Sequence, residues 1–489
     1  MRTSGAIGGA NPASLSRLGT PTGLHFEPLH LPDEWLAGWR VAEWQPAGSI
    51  AFGGAHNVAA IDESAADIFD RFSDARVLPG TVLHVSPSGN DSSGTGQQAA
   101  PYRSINKAIR SANEAGLPAR IMIEAGAYSR GACPGFAGTS PSVDIAFIAH
   151  GGRVVTGSWD ETGNAPVDTQ YPNTHVVATS SVDRVLDRLR LDRDGFHPEY
   201  IRVASAAICN RVPGSWAYQD GKAYIHRHDG APVTTANTYF LRPSTAVWSF
   251  ASPVSIYLGG NDALSGFDTI GGNTGAALVY ETSGLPAQMK ALVVEGCTFR
   301  YNGGAWSVPS GGSGVRVKNL HGLALFSDCD ASNNTRDGFS AGNAVAGAAT
   351  HMVTVNCRAI RNGDRGAGYN TSQSDNAYTL HDDSIGLDLA GQFRETSGGG
   401  VRNVGISMGL MIGTHISDDR GDRMVGGIVD PGAVVADEQS RIWLDRVALA
   451  MPPASAPIRI ASGAKVRCYR TAAFRSPPQV QGSLEAYQA

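Results

Sequence analysis

What the chain lacks narrows it first. No stretch approaches the roughly 18 apolar residues that a membrane-spanning helix needs, so membrane insertion is not expected. The opening "MRTSGAIGGANPASLSRLGTPTG" has one early arginine and no apolar core of roughly 7–15 residues, which excludes a secretory signal of ordinary form. Cysteine is scarce, six in 489 residues, without a CxxC pair or a histidine spacing of zinc type; a structural zinc site and a disulfide framework are both disfavoured. Charge is low at 17 %, and the net −5 comes with no basic stripe, which argues against nucleic acid as a partner. Aromatics make up only 8 %. Glycine, by contrast, is abundant at 60 residues, and these proportions together point to many turns and short strands rather than long helices.

A spaced pattern recurs in the second half. "CTFRYN" (297–302), "CDASNN" (329–334) and "CRAIRN" (357–362) share Cys, four residues, Asn. "GQFRET" (391–396) keeps the form, and "GFDTIGGN" fits it with Asp268 in the Cys slot and Asn273 five residues on. Leu264, Val293, Leu325, Val353 and Leu387 stand four residues before the slot; Ile270, Phe299, Ala331, Ala359 and Phe393 stand two after it. Positions of like parity share a strand face, so each repeat reads as one strand with an inward apolar face. Slot spacings of 28–34 residues are too long for hairpins and fit stacked solenoid coils. Stacking sets equivalent residues ~4.8 Å apart, with Asn273, Asn302, Asn334 and Asn362 in one column. Asparagine tolerates a left-handed turn, and its amide can bond to the next one in the stack. The cysteines then serve as small apolar fillers.

Upstream, residues 1–30 are rich in Gly, Ser and Pro and read as an extended arm. The segment 31–80 opens with "LPDEWLAGWRVAEW", where Trp35 and Trp39 would share one face of a short helix, either as a packed cap or as a docking surface for a larger assembly. From residue 81, "VLHVS" alternates as a strand and "SPSGNDSSGTG" is a loop. A helix follows over 102–115, with Ile105, Ala108, Ile109 and Ala112 on one face and Gly116 ending it; "RIMIEAGAY" is again a strand. Through Val85, Ser86, Gly89, Asp91, Gly94, Thr95, Pro101, Tyr102, Ile121, Ile123, Gly126 and Tyr128, this block resembles the opening of right-handed parallel β-helix proteins. That pectate-lyase-like superfamily includes polysaccharide-degrading enzymes, epimerases and phage tailspikes. "VPGSWAYQDGKAYIHRHDGAP" (212–232), read as a hairpin turning at Asp220-Gly221, is similar to inserts in its carbohydrate-active members. The resemblance spans roughly residues 80–450. It implies an all-β fold: a right-handed parallel β-helix solenoid over 81–450 with a hairpin insert near 212–228, preceded by the arm and a capping helix and followed by a closing region, 451–489.

Charge appears just beyond the Asn column. One coil continues with Arg336 and Asp337, the next with Asp364 and Arg365, where the flanking coils have Gly303-Gly304 and Ser397-Gly398. A polar excursion then carries Asp375, Tyr378, His381, Asp382 and Asp383. Two carboxylates about 5–5.5 Å apart suit a retaining glycosidase and about 6.5–9.5 Å an inverting one, so Asp337 with Asp364 or Asp382 is a candidate pair. Elimination at a uronic acid would instead take a base, His381 or Tyr378, and a cation, Arg336 or Arg365, to neutralise the carboxyl group. Trp306 offers a ring face to a sugar, and Lys318 a basic edge to an anionic glycan. The competing readings are a cross-coil salt-bridge network and a Ca²⁺ site on Asp375, Asp382 and Asp383; no other cofactor is expected. The candidate catalytic set is thus Asp337, Asp364, His381 and Asp382, with Arg336, Arg365, Asp375, Tyr378, Trp306 and Lys318 as binding residues.

With no secretory signal, an extended arm and this resemblance, the expectation is a virion surface or tailspike-type protein. It would be a homotrimer, as such proteins commonly are, docked to the virion through residues 1–80, and would bind or depolymerise a bacterial surface polysaccharide. The alternatives are a secreted polysaccharide lyase or glycoside hydrolase whose signal has been removed, and a non-catalytic structural or adhesive β-helix.

Overall fold

The computed structural model describes residues 26–29, 31–53, 58–73, 81–160, 164–242, 246–272, 275–303, 312–363, 375–417, 424–425, 428–429, 432–450, 457–470 and 479–486. The repeats form the coils of a parallel β-helix. A long sheet runs in parallel register from Thr81–Val85 to Ser483–Ala486, and a second from Trp248–Phe250 to Gln479–Val480. A short sheet carries Gly266–Ile270, Thr298–Arg300, Arg358–Ile360, Gln392–Arg394 and His415–Ser417 on the third side. The strand Ile145–Gly157 rounds the corner between the long and short sheets and pairs in both. Before the first coils, helix Ile105–Ala115 starts at Ser104, whose side chain accepts from Lys107 N, and stops at left-handed Gly116; its buried face includes Ile105, Ala108, Ile109 and Ala112.

Each repeat makes two sharp corners. In one coil the strand Lys290–Glu295 is followed by left-handed Gly296, Cys297, the strand Thr298–Arg300, left-handed Tyr301 and Asn302. The next coils place Asp328 and Asn333, then Asn356 and Arg361, at the same two corners, all with φ between 52° and 56°. The left-handed residue therefore precedes the Asn column instead of occupying it. The asparagines act through their side chains. Asn334 Oδ1 accepts from Asn302 N and Asn362 Oδ1 from Asn334 N, both at 3.0 Å, and Asn334 Nδ2 reaches Asn362 Oδ1 at 3.2 Å. Buried amides thereby satisfy backbone donors at a turn, where the sheet ladder cannot. Asn273 lies outside the described residues.

The first corner also resets side-chain parity. Leu292, Val294, Cys297 and Phe299 face the interior with Ala324, Phe326, Cys329 and Ala331 of the next coil. Val293, Leu325, Val353 and Leu387, expected inside, point out from the long sheet into a separate core. At the earliest repeat the register is one residue off the expected alignment. Asp268 pairs with Thr298, so buried Phe267 takes the Cys297 position, while Leu264 is 79 % exposed. All six cysteines are free thiols; Cys297, Cys329 and Cys357 are buried and donate to strand carbonyls, Cys329 Sγ to Ser327 O at 3.3 Å for example.

The outward apolar row of the long sheet is covered by the chain's own N-terminal segment. Trp35, Trp39, Trp44, Phe52, Ile68 and Phe69 pack on it. Trp35 and Trp39 stack at 5.2 Å, and Trp35 Nε1 donates to Gly386 O. Arg40 N donates to His351 Nε2 at 3.1 Å, Asn356 bonds Ala59 through both N–H and C=O, and Ser255 Oγ donates to Phe72 O. This strap buries the tryptophans against the solenoid, the packed-cap arrangement of the two expected from the sequence.

A second addition, residues 164–242, projects from between Ile145–Gly157 and Trp248–Phe250. The expected hairpin is present, Ser215–Gln219 against Lys222–His226 with left-handed Asp220 and Gly221 at its turn. It is part of a larger unit with its own core of Val185, Tyr200, Trp216, Ile225, Val233 and Phe240. Trp216 is fully buried and Tyr224 nearly so; these rings hold the insertion together and present no face to a sugar.

Candidate functional site

The residues singled out from the sequence do not converge. Tyr378 is inside the solenoid, stacked on Phe393, with its hydroxyl donating to Met352 O. Asp337 is buried, and its Oδ1 accepts from Asn376 N at 2.9 Å, Asn376 Nδ2 at 3.2 Å and Thr379 Oγ1 at 3.0 Å. It fastens one corner to the next. Arg336 pairs with Asp375 across that corner at 3.9 Å. Exposed Asp382 accepts from Asn343 N, and Asp383 from Asn343 Nδ2, beside half-buried His381. Because Phe339–Ala341 pairs with Tyr378–Leu380, Asp337 lies level with Asn376, six residues of chain from Asp382; that is roughly 20 Å of strand. The separation excludes Asp337 and Asp382 as a glycosidase pair, and Asp375 cannot share a Ca²⁺ with Asp382 and Asp383. Lys318 pairs with Glu281 at 3.7 Å; it lies in the same sheet as His381 and two coils away, in register with Gly342. Trp306, Asp364 and Arg365 lie outside the described residues.

A different place gathers the chemistry. Between the insertion and the short sheet lies a cleft of about 430 Å³, within the range of small-ligand sites. The solenoid contributes Asp268, Thr298, Arg300, Tyr301 and Arg358 to its wall; the insertion contributes Arg193, Asp194, His197 and Tyr239. The solenoid residues come from outward positions of the short sheet and from its left-handed corner, where Tyr301 has φ 61°.

Charge in and around the cleft is paired. Asp268 takes Arg153 at 2.7 Å, and Asp330 takes both Arg300, at 2.6 Å, and Arg358. Burial pushes both carboxyls up, but the facing guanidinium groups outweigh it and hold both below the ordinary range, so both stay ionised. His197 is held by Nδ1 contacts of 3.1 Å to Asp187 O and to Arg190 O. Two acceptors there place the proton on Nδ1 and leave the lone pair on Nε2. Burial lowers its pKa, with Arg300 and Arg188 adding to the effect against the two carbonyls. The ring is neutral near pH 7, beside fixed cations. This combination can remove a proton next to a carboxylate.

None of the cleft residues on the insertion was anticipated, since Arg361 and Asp194, for instance, meet across 167 residues. A signal was nonetheless present. Arg300, Arg358, Arg361 and Arg394 all fall one, three or four residues after the slot, at outward or corner positions of their coils.

No family model matches the chain, and no curated protein does. Among solved structures, a glycoside hydrolase is 11 % identical with a TM-score of 0.49, over 83 % of this chain and 94 % of that one. A lacto-N-biosidase from Eubacterium ramulus is 8 % identical (TM-score 0.33, 83 % and 67 %), and the tailspike protein gp49 from Pseudomonas phage LKA1 is 11 % identical (0.25, 78 % and 71 %). At such values function has to be argued from the site.

Proposed function

We propose that the protein is a carbohydrate-active β-helix that binds an extended polysaccharide in the cleft between insertion and solenoid and cleaves it by elimination. The observation that carries this reading is the cleft wall. It combines carboxylate, hydroxyl and guanidinium groups that match sugar hydroxyls and acid groups, and it sets neutral His197 beside Arg300 and Arg358. In the proposed step His197 Nε2 takes the proton α to a uronate carboxyl. The bond from the β-carbon to the glycosidic oxygen breaks to give an unsaturated product, and the departing oxygen takes a proton from solvent. His197→Ala should lower cleavage by at least ~100-fold, the low end for a lost general base, with native folding retained. The check is ultraviolet detection of unsaturated product from a panel of polyuronates. Saturated products, or undiminished cleavage by the variant, would sink the elimination.

A bacterial surface polysaccharide as substrate, and a virion-borne homotrimer as setting, complete the proposal and rest on the sequence reading and its β-helix resemblance. Light scattering after size exclusion should then give a mass near three times 51.1 kDa. A monomer would turn the proposal towards a secreted enzyme.

A further inference from the structure

Next to the cleft, the insertion sends a short finger, residues 190–197, down onto the short sheet. Its turn is self-supporting: Asp192 Oδ1 accepts from Asp194 N at 2.9 Å and from Phe196 N at 3.0 Å. The tip lies on arginines. Arg361 donates to Asp192 Oδ2 and to Asp194 Oδ2, both at 2.7 Å, Arg394 to Asp194 Oδ1, and Arg300 to Gly195 O at 3.0 Å. The Phe196 ring is covered by the guanidinium groups of Arg300, Arg358 and Arg361 at 4.9, 5.3 and 5.4 Å. On the solenoid side, four guanidinium groups meet two carboxylates, Asp330 and Glu395, which leaves two positive charges in excess. Asp192 and Asp194 supply two negative charges, and Arg193 of the finger stands 3.6 Å from Asp194 Oδ2.

We propose that this arginine strip is a binding site for the acid groups of an anionic polysaccharide, and that Asp192 and Asp194 occupy it as internal stand-ins which the polymer displaces. The inference rests on the cleft being a glycan site and adds to it the charge of the ligand and a gate. Arg361 and Arg394 lie on neighbouring coils, so their guanidinium groups follow the stacking direction, as successive acid groups on an extended chain would. Asp194 already gives both oxygens to arginines, Oδ2 to Arg361 and Oδ1 to Arg394, as a uronate would, while Asp192 gives Arg361 its Oδ2 alone. The tip of the finger also roofs the cleft, since Arg193, Asp194 and Gly195 line it; lifting that tip alone, with His197 left in place at its base, would lengthen the groove along the solenoid.

The test is equilibrium binding of alginate and of dextran, an uncharged control, to the full chain. In the Asp192→Asn/Asp194→Asn double variant, asparagine keeps the Oδ1 acceptor of the turn and removes the charge. Alginate affinity should rise at least tenfold and dextran affinity should stay where it was. Adding Arg394→Gln to that background should reverse most of the gain, and this third variant guards against a gain caused by a damaged finger. Unchanged or weaker alginate binding in the double variant overturns the gate. An equal gain for dextran overturns the anionic ligand. Binding of neither polymer by the wild type or any variant would also overturn the proposal. If cleavage of another glycan persists in that case, the catalytic reading survives; if no glycan is bound or cut, that reading fails as well.

Discussion

Replacing Trp35 by alanine will remove about 3–5 kcal/mol of folding stability, the range for truncating a fully buried tryptophan. The side chain is wholly inside, stacked on Trp39, and its indole N–H is tied to Gly386 O. Truncation opens a cavity under the strap and removes that hydrogen bond. The neighbouring Glu34, which pairs with Arg441 at 2.8 Å and with Arg467, makes the comparison. Those ion pairs are solvent-facing, so Glu34→Gln should cost no more than about 1 kcal/mol. Urea denaturation of both variants decides whether burial or charge holds the strap. A Trp35→Ala midpoint within error of wild type would mean that the strap detaches before the solenoid unfolds.

The second large effect concerns Asp183, at the base of the insertion. Its carboxyl is 2 % exposed and neither oxygen has a hydrogen-bond partner. Burial pushes its pKa up to about 7, although Arg184 and Arg202 pull it down. Between pH 4 and 7 the folded chain therefore holds a proton that the unfolded chain has released. The stability this contributes is intact at low pH and is lost as pH rises towards 7. Above that the native state carries a poorly solvated anion. The margin of Asp183→Asn over wild type should therefore widen by about 3 kcal/mol between pH 5 and pH 8 and close only as pH falls to about 4. His351 works in the opposite direction. Burial lowers its pKa to about 4, so its contribution is complete above pH 6.5 and fades as pH falls to 4. Thermal melts of wild type and Asp183→Asn across this span separate the two. Equal gains at pH 5 and pH 8 would assign the effect to packing instead of charge.

The solenoid was readable because its signal repeats. Cys-x4-Asn marks a corner in three successive coils, and the residues two after the slot, Phe299, Ala331, Ala359 and Phe393, do face the interior. The four-before positions misled for a physical reason. A left-handed residue between them and the slot turns the chain, and the counting of faces does not survive the turn. Val293 and Leu325 looked like core and are core, but of the strap interface. Asp268 imitated the slot because Asn273 stands five residues after it and apolar Leu264 and Ile270 fall at the matching offsets; only pairing with Thr298 shows the true register. The site was harder still. Arg336, Asp337 and Asp375 are near one another as expected, yet in the corner where they meet, Asp337 is used for hydrogen bonds that join coils. The cleft depends on contacts between the insertion and coils more than a hundred residues away, which no local pattern encodes.

In a stack where each coil touches only the ones above and below, opening at one point need not be felt at another. The strap changes that. Its contacts reach from Ser255 through His351, Asn356 and Gly386 to Arg441 and Arg467. One continuous segment is thus bound to coils along most of the stack, and no coil in that span can fray without loosening a piece shared with the others. A chain of nearest-neighbour units is made to melt as a single cooperative block.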